Sequence, residues 1–245
     1  MKNDYELAAQ AIARSAKVIA VTGAGASVDS GIPDFRSAGG LWETYPPDEF
    51  ATIDAFANDP AKTWRLWFDL YRTLESVKPN AGHRALAELE AMGHLMGIIT
   101  QNIDNLHQEA GSTNVIEYHG NTKRVVCLKC HEHRAFVAEN EPPDGPRCYC
   151  GRIMKPDVVL FGEAIPHQAL IESETLASTC DTVIIVGTSA TVYPAAGIPY
   201  AAKQNGAFII ECNTQPTEFT RGITDIFLQG RAAETLPRLV NWVRR

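Results

Sequence analysis

Five short apolar runs set the limits on what this chain can fold into: KVIAV (17–21), LMGIIT (95–100), TVIIVG (182–187), AFIIE (207–211) and DIFLQ (225–229). None carries a charge in its interior. Strands that are continuously apolar, rather than alternating, are buried on both faces, as in parallel sheets covered by helices. Helical spacing fills the intervals. Leu7, Ala8, Ala11 and Ile12 recur within 4–15, and KPNAGHRALAELEAMG offers Asn80 as an N-cap and Gly93 beyond the end. Further helices are expected in DNLHQEAG, near 166–178, near 194–204 and at the C-terminus, and further strands in VIEYHG (115–120) and DVVLF (157–161). The fold class that follows is α/β, a doubly wound parallel sheet. Two stretches break the alternation. One, 33–80, holds a helix with Trp64, Trp67, Phe68, Tyr71 and Leu74 on one face, read as packing; the other, 122–156, is rich in cysteine. The expected organisation is a discontinuous main domain of 1–32, 81–121 and 157–245, with 33–80 and 122–156 as inserts.

The first strand runs into TGAGAS, a strand–turn–helix arrangement that lets backbone amides approach a pyrophosphate. A dehydrogenase would place an acidic residue about 20 positions further on, at the end of the second strand, to hold ribose hydroxyls. Here that place falls near Glu43, in GGLWETYPP, which does not read as a strand end. The adenosine of a bound dinucleotide is therefore expected at two later strand ends, GTS (187–189) and ECNT (211–214).

Cys127-x-x-Cys130 and, seventeen residues later, Cys148-x-Cys150 approach the spacing of a structural zinc ribbon. Four thiolates suit zinc and leave it no open coordination position. The second pair is one residue short of the usual CxxC, which leaves His131 or His133 as alternative ligands. Cys180 and Cys212 flank apolar strands and read as small buried hydrophobes.

Gln101, Asn102 and Asp104 follow the strand GIIT, and His119 closes EYHG, both on the edge of the sheet where ligands of open α/β folds bind. Helix capping explains Asn102 or Asp104 equally well. A histidine there has the near-neutral pKa that general-base work needs. His83, His94, His107, His131, His133 and His167 have no such placement.

With 245 residues, 45% hydrophobic and 21% charged, the chain can bury a substantial core. Its net charge of −7 argues against direct nucleic-acid binding and suits cationic partners. No apolar run approaches the roughly 20 residues of a membrane span, and MKNDYELAAQ has no signal core, so a cytoplasmic protein with reduced thiols is expected.

Together, GAGAS (23–27), GIPDFRS (31–37), TQNID (100–104), HG (119–120), the cysteine pairs, FGE (161–163), GTS (187–189) and the later CN resemble the sirtuins, NAD-dependent protein lysine deacylases, in order and over nearly the whole chain. The resemblance implies a Rossmann-like domain and a small domain made of a helical and a zinc-ribbon module, with the site between them. It implies cofactor contacts from Gly23, Ala24, Gly25, Ser27, Asp34, Phe35 and Arg36, and from Gln101, Asn102, Ile103 and Asp104 around the ribose and nicotinamide. Gly187, Thr188, Ser189, Asn213, Thr214 and Ala232 would hold the adenosine half. Val159, Phe161 and Gly162 would meet an acetyl-lysine peptide, and Cys127, Cys130, Cys148 and Cys150 would hold structural zinc. His119, with Asn102, would be catalytic. The acyl oxygen would attack the ribose carbon bearing nicotinamide, and His119 would take a proton from a ribose hydroxyl that attacks the acyl carbon. The products would be free lysine, nicotinamide and O-acetyl-ADP-ribose. Members of the family that prefer acidic acyl groups carry Tyr-x-x-Arg on the helix before KPN. TWRLWFDLYRTLESV lacks it, so neutral acyl groups are expected. ADP-ribosyl transfer to protein and a non-catalytic NAD or acyl-lysine binding module are the rival readings. The sequence leaves the oligomeric state and the physiological substrate open.

Overall fold

A computed structural model describes residues 3–32 and 41–245. Among the described residues nine strands form two sheets. β1 (Val18–Thr22), β2 (Leu95–Thr100), β3 (Val115–Glu117), β7 (Thr182–Val186), β8 (Phe208–Asn213) and β9 (Ile226–Gln229) make a parallel sheet in the order β3-β2-β1-β7-β8-β9. The chain starts at the centre, winds outward to one edge and returns to wind outward to the other. That is the doubly wound order, with its switch point between β1 and β7.

Successive residues of the central strands face opposite sides and enter separate cores. Ala20, Ile98, Ile184 and Ile210 pack with Ile12, Leu86, Leu89, Leu236 and Leu239 from helices Asp4–Arg14, Ala81–Ala91 and Ala232–Val243. Ile19, Val21, Ile99, Ile185 and Ile209 pack on the other face with Ala177, Ile198, Ala202 and Phe219, from helices His167–Thr179, Gly197–Gln204 and Glu218–Gly222. β1 and β7 are buried throughout, which is why they read as unbroken apolar runs. Asn80 caps helix Ala81–Ala91 through its side chain, and Gly93 follows that helix at φ +78°, both as the sequence predicts.

β4 (Gly120–Val126), β5 (His133–Ala135) and β6 (Lys155–Val158) form a small antiparallel sheet, ordered β5-β4-β6. The aromatic helix Pro60–Ser76 packs on it and supplies a third core. Phe136 lies 5.2 Å from Trp64 and edge-on to Tyr71 at 4.8 Å, and Trp64 Nε1 donates to the Met154 carbonyl (2.9 Å). The aromatic stripe is therefore a packing face shared with the cysteine segment.

Two strand expectations shift. VIEYHG ends as a strand at Glu117, and Gly120 (φ +80°) opens β4; a Cβ at Gly120 would lie 2.1 Å from the Asp157 carbonyl oxygen, so only glycine admits this crossing to β6. DVVLF begins two residues earlier, at Lys155, and its pairing in the small sheet stops at Val158. Beyond it Phe161 turns to residues 51–53, donating to Ala51 O (2.9 Å) and accepting from Ile53 N (3.0 Å). Among the described residues no helix is long and apolar enough to cross a membrane.

Candidate active site

At the carboxyl ends of β1 and β7 the chain has two turns in near contact. Gly23 N donates to Val186 O (3.0 Å) and Gly25 N to Gly187 O (2.8 Å). A Cβ on Gly25 would sit 2.7 Å from Gly187 Cα, and one on Gly187 (φ +58°) 2.4 Å from Ala26 N. These glycines are thus required by each other, besides any phosphate. After the loop come two single 3₁₀ turns, Ala24–Ala26 and Val28–Ser30, instead of a long helix.

A cleft of about 860 Å³ opens over this switch point. It brings together, from seven separate stretches of sequence, Gly23, Ala24 and Gly25; Gln101, Asn102 and Ile103; His119; Val159, Phe161 and Gly162; Gly187, Thr188 and Ser189; Asn213 and Thr214; and Ala232. Ser27 and Asp104 stand behind its wall, both buried. Asp34, Phe35 and Arg36 lie outside the described residues.

Hydrogen-bond directions fix the protonation of the buried network. The Asn80 amide donates to His83 Nδ1 (3.2 Å), so the proton of neutral His83 is on Nε2, which lies 3.3 Å from Ser27 Oγ and donates to it. Ser27 Oγ donates to Asp104 Oδ2 (2.6 Å) and also accepts from Asn102 Nδ2 (3.1 Å). Asn102 Nδ2 gives its other hydrogen to Gly23 O (3.0 Å), which leaves Oδ1 as the group that can meet a ligand. Thr22 Oγ1 donates to Thr100 Oγ1 (2.8 Å) and lies 2.9 Å from His107 Nε2, while Thr100 Oγ1 accepts from Asn102 N (3.1 Å). Burial pushes His83 down to about 4, with the neighbouring Arg84 charge adding to it, and His107 down to about 3, with His83 adding to it. Both are neutral when folded. Burial raises the Asp104 carboxyl, against the pull of the Ser27 hydroxyl and the Leu106 amide.

His119 lies in the turn between β3 and β4. Its Nδ1 is 3.1 Å from Gln101 O, and a carbonyl only accepts, so Nδ1 carries the proton and Nε2 keeps its lone pair. Burial lowers its pKa, and the Gln101 carbonyl opposes this. His119 O accepts from Val159 N (2.9 Å), tying the imidazole to the segment 159–162. Because the main chain of Phe161 is engaged by residues 51–53, its exposed ring is what it offers to the cleft. Gln101 Nε2 donates to Thr188 Oγ1 (3.1 Å), and Asn213 Nδ2 to Thr188 O (3.0 Å), which links the wall near His119 to the β7 and β8 strand ends.

Sequence reasoning missed several parts of this arrangement. Trp67, assigned to packing, also lines the cleft. His83 and His107 have no placement on the sheet's ligand-binding edge in the sequence, although His83 stands at the third helical position after the Asn80 cap, where a capping box is legible. The Asp29–Arg231 ion pair (2.9 Å) on the cleft wall joins residues about 200 positions apart, and no local signal could have found it.

The sulfurs of Cys127, Cys130, Cys148 and Cys150 all lie within 4.8 Å of one another, with Cys127–Cys150 and Cys130–Cys148 at 3.5 Å. A zinc tetrathiolate with bonds of about 2.3 Å has sulfur–sulfur edges of about 3.8 Å, so the donor set fits. The missing residue of the second pair is accommodated by a turn in which Gly151 (φ +82°) donates to Cys148 O and Cys148 N to Arg152 O (both 2.9 Å). Neither His131 nor His133 belongs to the cluster.

The profile of the Sir2 family matches residues 23–194. An NAD-dependent protein deacylase of Pyrococcus furiosus is 47% identical, with 96% of each chain covered. A solved Sir2 homologue–NAD complex superposes with a TM-score of 0.91 at 42% identity, covering 98% of this chain and 93% of that one. A Sir2 structure bound to a myristoylated histone peptide gives 0.82 at 39% identity, covering 100% and 98%. A family match across the glycine loop, the polar strand ends, His119 and the cysteine cluster, with relatives of nearly equal length, places the cleft within one known architecture: the chain belongs to the Sir2 family.

Proposed function

We propose that this protein is an NAD-dependent protein lysine deacetylase that moves the acetyl group of acetyl-lysine onto ADP-ribose, giving free lysine, nicotinamide and O-acetyl-ADP-ribose. The observation that carries this is His119: a neutral imidazole with a bare Nε2, in the cleft beside Asn102 and the glycine loop, and bonded through its own carbonyl to the segment that would meet the peptide. Bound NAD would supply an electrophilic ribose carbon and nicotinamide as leaving group. The chain's own part is orientation and proton removal. Asn102 Oδ1 is aimed by bonds to Gly23 and Ser27, and Nε2 of His119 accepts a ribose hydroxyl proton. Gly187, Thr188, Ser189, Asn213, Thr214 and Ala232 would take the adenosine half, and Phe161 the peptide.

Among the described residues the only cations lining the cleft, Arg221 and Arg231, stand with the 214–218 segment and Ala232, at the adenosine end. Trp42 and Ala51 line the cleft beside Phe161, and Trp67 lines it too, which supports neutral acyl groups. The four cysteines would hold zinc, closing a polar segment that has little core of its own. The division into 1–32, 81–121 and 157–245 against 33–80 and 122–156 is supported by the two sheets and their separate cores. Thiols gathered as one four-sulfur cluster support a reducing, cytoplasmic setting.

The test follows peptide and nucleotide masses when an acetyl-lysine peptide is mixed with the protein, with and without NAD, beside His119→Ala. The expected result is loss of acetyl only with NAD, appearance of O-acetyl-ADP-ribose, and a variant slowed by about 10²- to 10⁴-fold. An unaltered peptide with NAD cleaved and the protein heavier would favour ADP-ribosyl transfer instead.

A further inference from the structure

Away from the cleft, a second groove of about 510 Å³ runs between the helical segment and the cysteine segment. Phe56, Pro60 and Ile153 give it an apolar floor, and Lys129, Arg147 and Arg152, all exposed, give it a cationic rim. Arg147 is paired with Asp144 (2.5 Å), whereas Lys129 and Arg152 have no ion-pair partner among the described residues. With Arg147 held by Asp144, Lys129 and Arg152 are the rim charges that would attract carboxylates, in a chain whose net charge is −7.

One helix links the groove to the cleft wall. Helix Ile53–Asn58 starts where Ile53 N binds Phe161 O (3.0 Å), on the cleft wall. Phe56 and Ala57, one turn further on, line the groove. One turn rises about 5.4 Å, the length of roughly two residues of extended chain.

We infer that this groove is an exosite for acidic side chains of the acylated protein substrate, close in sequence to the lysine that occupies the cleft. The inference rests on the deacetylase reading. Guanidinium groups bind carboxylates through two parallel hydrogen bonds, and the apolar floor suits the aliphatic part of the same substrate segment. Each exposed pair adds only a few-fold in affinity, so two together give roughly tenfold.

The experiment compares two acetyl-lysine peptides that differ only in having Asp and Glu, or Asn and Gln, at about two to five residues from the lysine. Kinetics are run on the wild type and on a variant carrying Lys129→Glu, Arg147→Glu and Arg152→Glu, with a third peptide bearing lysines at those positions. The acidic peptide should show a KM about tenfold lower in the wild type, with kcat and the KM for NAD unchanged. The gap should close in about 0.5 M salt, where the screening length is only ~4 Å. The reversed variant should prefer the lysine-bearing peptide.

Equal KM values for the acidic and neutral peptides in the wild type, or a gap that survives in the variant, would overturn the exosite. So would a variant that loses metal and raises KM for both peptides equally, since the cations would then serve only to balance the cysteine cluster. Anisotropy of fluorescent versions of the peptides separates this idea from the deacetylase reading. Selective binding of the acidic peptide with no deacylation of either would sink the reading and leave the groove standing.

Discussion

His119 can act as a base only while its Nε2 is bare, and burial holds its pKa below the ordinary 6.5. The acidic limb of kcat/KM is therefore expected below pH 6.5, rising with unit slope and flat from there into the neutral range. A limb centred at or above 6.5 would mean that another group controls the rate. Ser27 orients its neighbours instead. Its hydroxyl gives its one proton to Asp104 and accepts from Asn102 and His83, so it has no hydrogen left for a ligand. Ser27→Ala should leave the Asp104 carboxylate and the Asn102 amide short of partners and cost about 1–3 kcal/mol in kcat/KM for NAD. Restoration of most of that loss by Ser27→Thr, through the same hydroxyl, would separate orientation from general damage to the fold. His119 was legible in the sequence because a strand end preceded it. His107 was not, because its partner Thr22 lies on a different strand and only the β1–β2 pairing brings them together.

The loop after β1 shows how far an element can be read locally. Its glycines and the strand before it were plain, and so was the absence of a dehydrogenase's ribose acid. Their tightest constraint, Gly187, lies some 160 residues away and was read only as part of an adenosine site. Gly187→Ala adds a Cβ at 2.4 Å from Ala26 N at a residue with φ +58°. It should destabilise the protein by about 1–3 kcal/mol in denaturant titration and weaken NAD binding, because it separates the two turns beneath the ligand. The cysteine module is the opposite case. Its four cysteines were countable in the sequence, but the one-residue deficit in Cys148-x-Cys150 could be judged only once Gly151 was seen to turn the chain. Cys127→Ala should abolish stoichiometric zinc by metal analysis and lower the melting temperature. Folded, metal-free wild type would refute the zinc assignment.

At the scale of the whole molecule, the site is stitched to the fold through groups that dislike acid. His83 and His107 stack edge-on at 4.8 Å behind the glycine loop, and burial holds them at about 4 and about 3. In the unfolded chain both return to about 6.5, so on acidification the unfolded state binds protons first. Their contribution to stability is complete above pH 6.5 and is lost as pH falls from 6.5 towards the folded values. While one histidine is taking up its proton only on unfolding, the slope is about 1.4 kcal/mol per pH unit, and two such groups roughly double it. Unfolding free energies at pH 7, 6 and 5 should thus fall by more than the carboxylates explain, since these titrate chiefly below 5. His83→Gln with His107→Gln, if folded at pH 7, should be less stable there and flatter between 6.5 and 5. An unchanged slope in that pair would show that the two rings are not what acid attacks. Both rings brace the turn that holds Gly23 and Asn102 and stay neutral in the folded protein until the pH nears 4, so NAD affinity of the folded wild type should hold over the same interval. An unchanged Kd for NAD, read by calorimetry at pH 6.5 and 5.5, would place the acid sensitivity of these two rings in the unfolding equilibrium, whereas protonation of His119 would appear in the rate of acyl transfer.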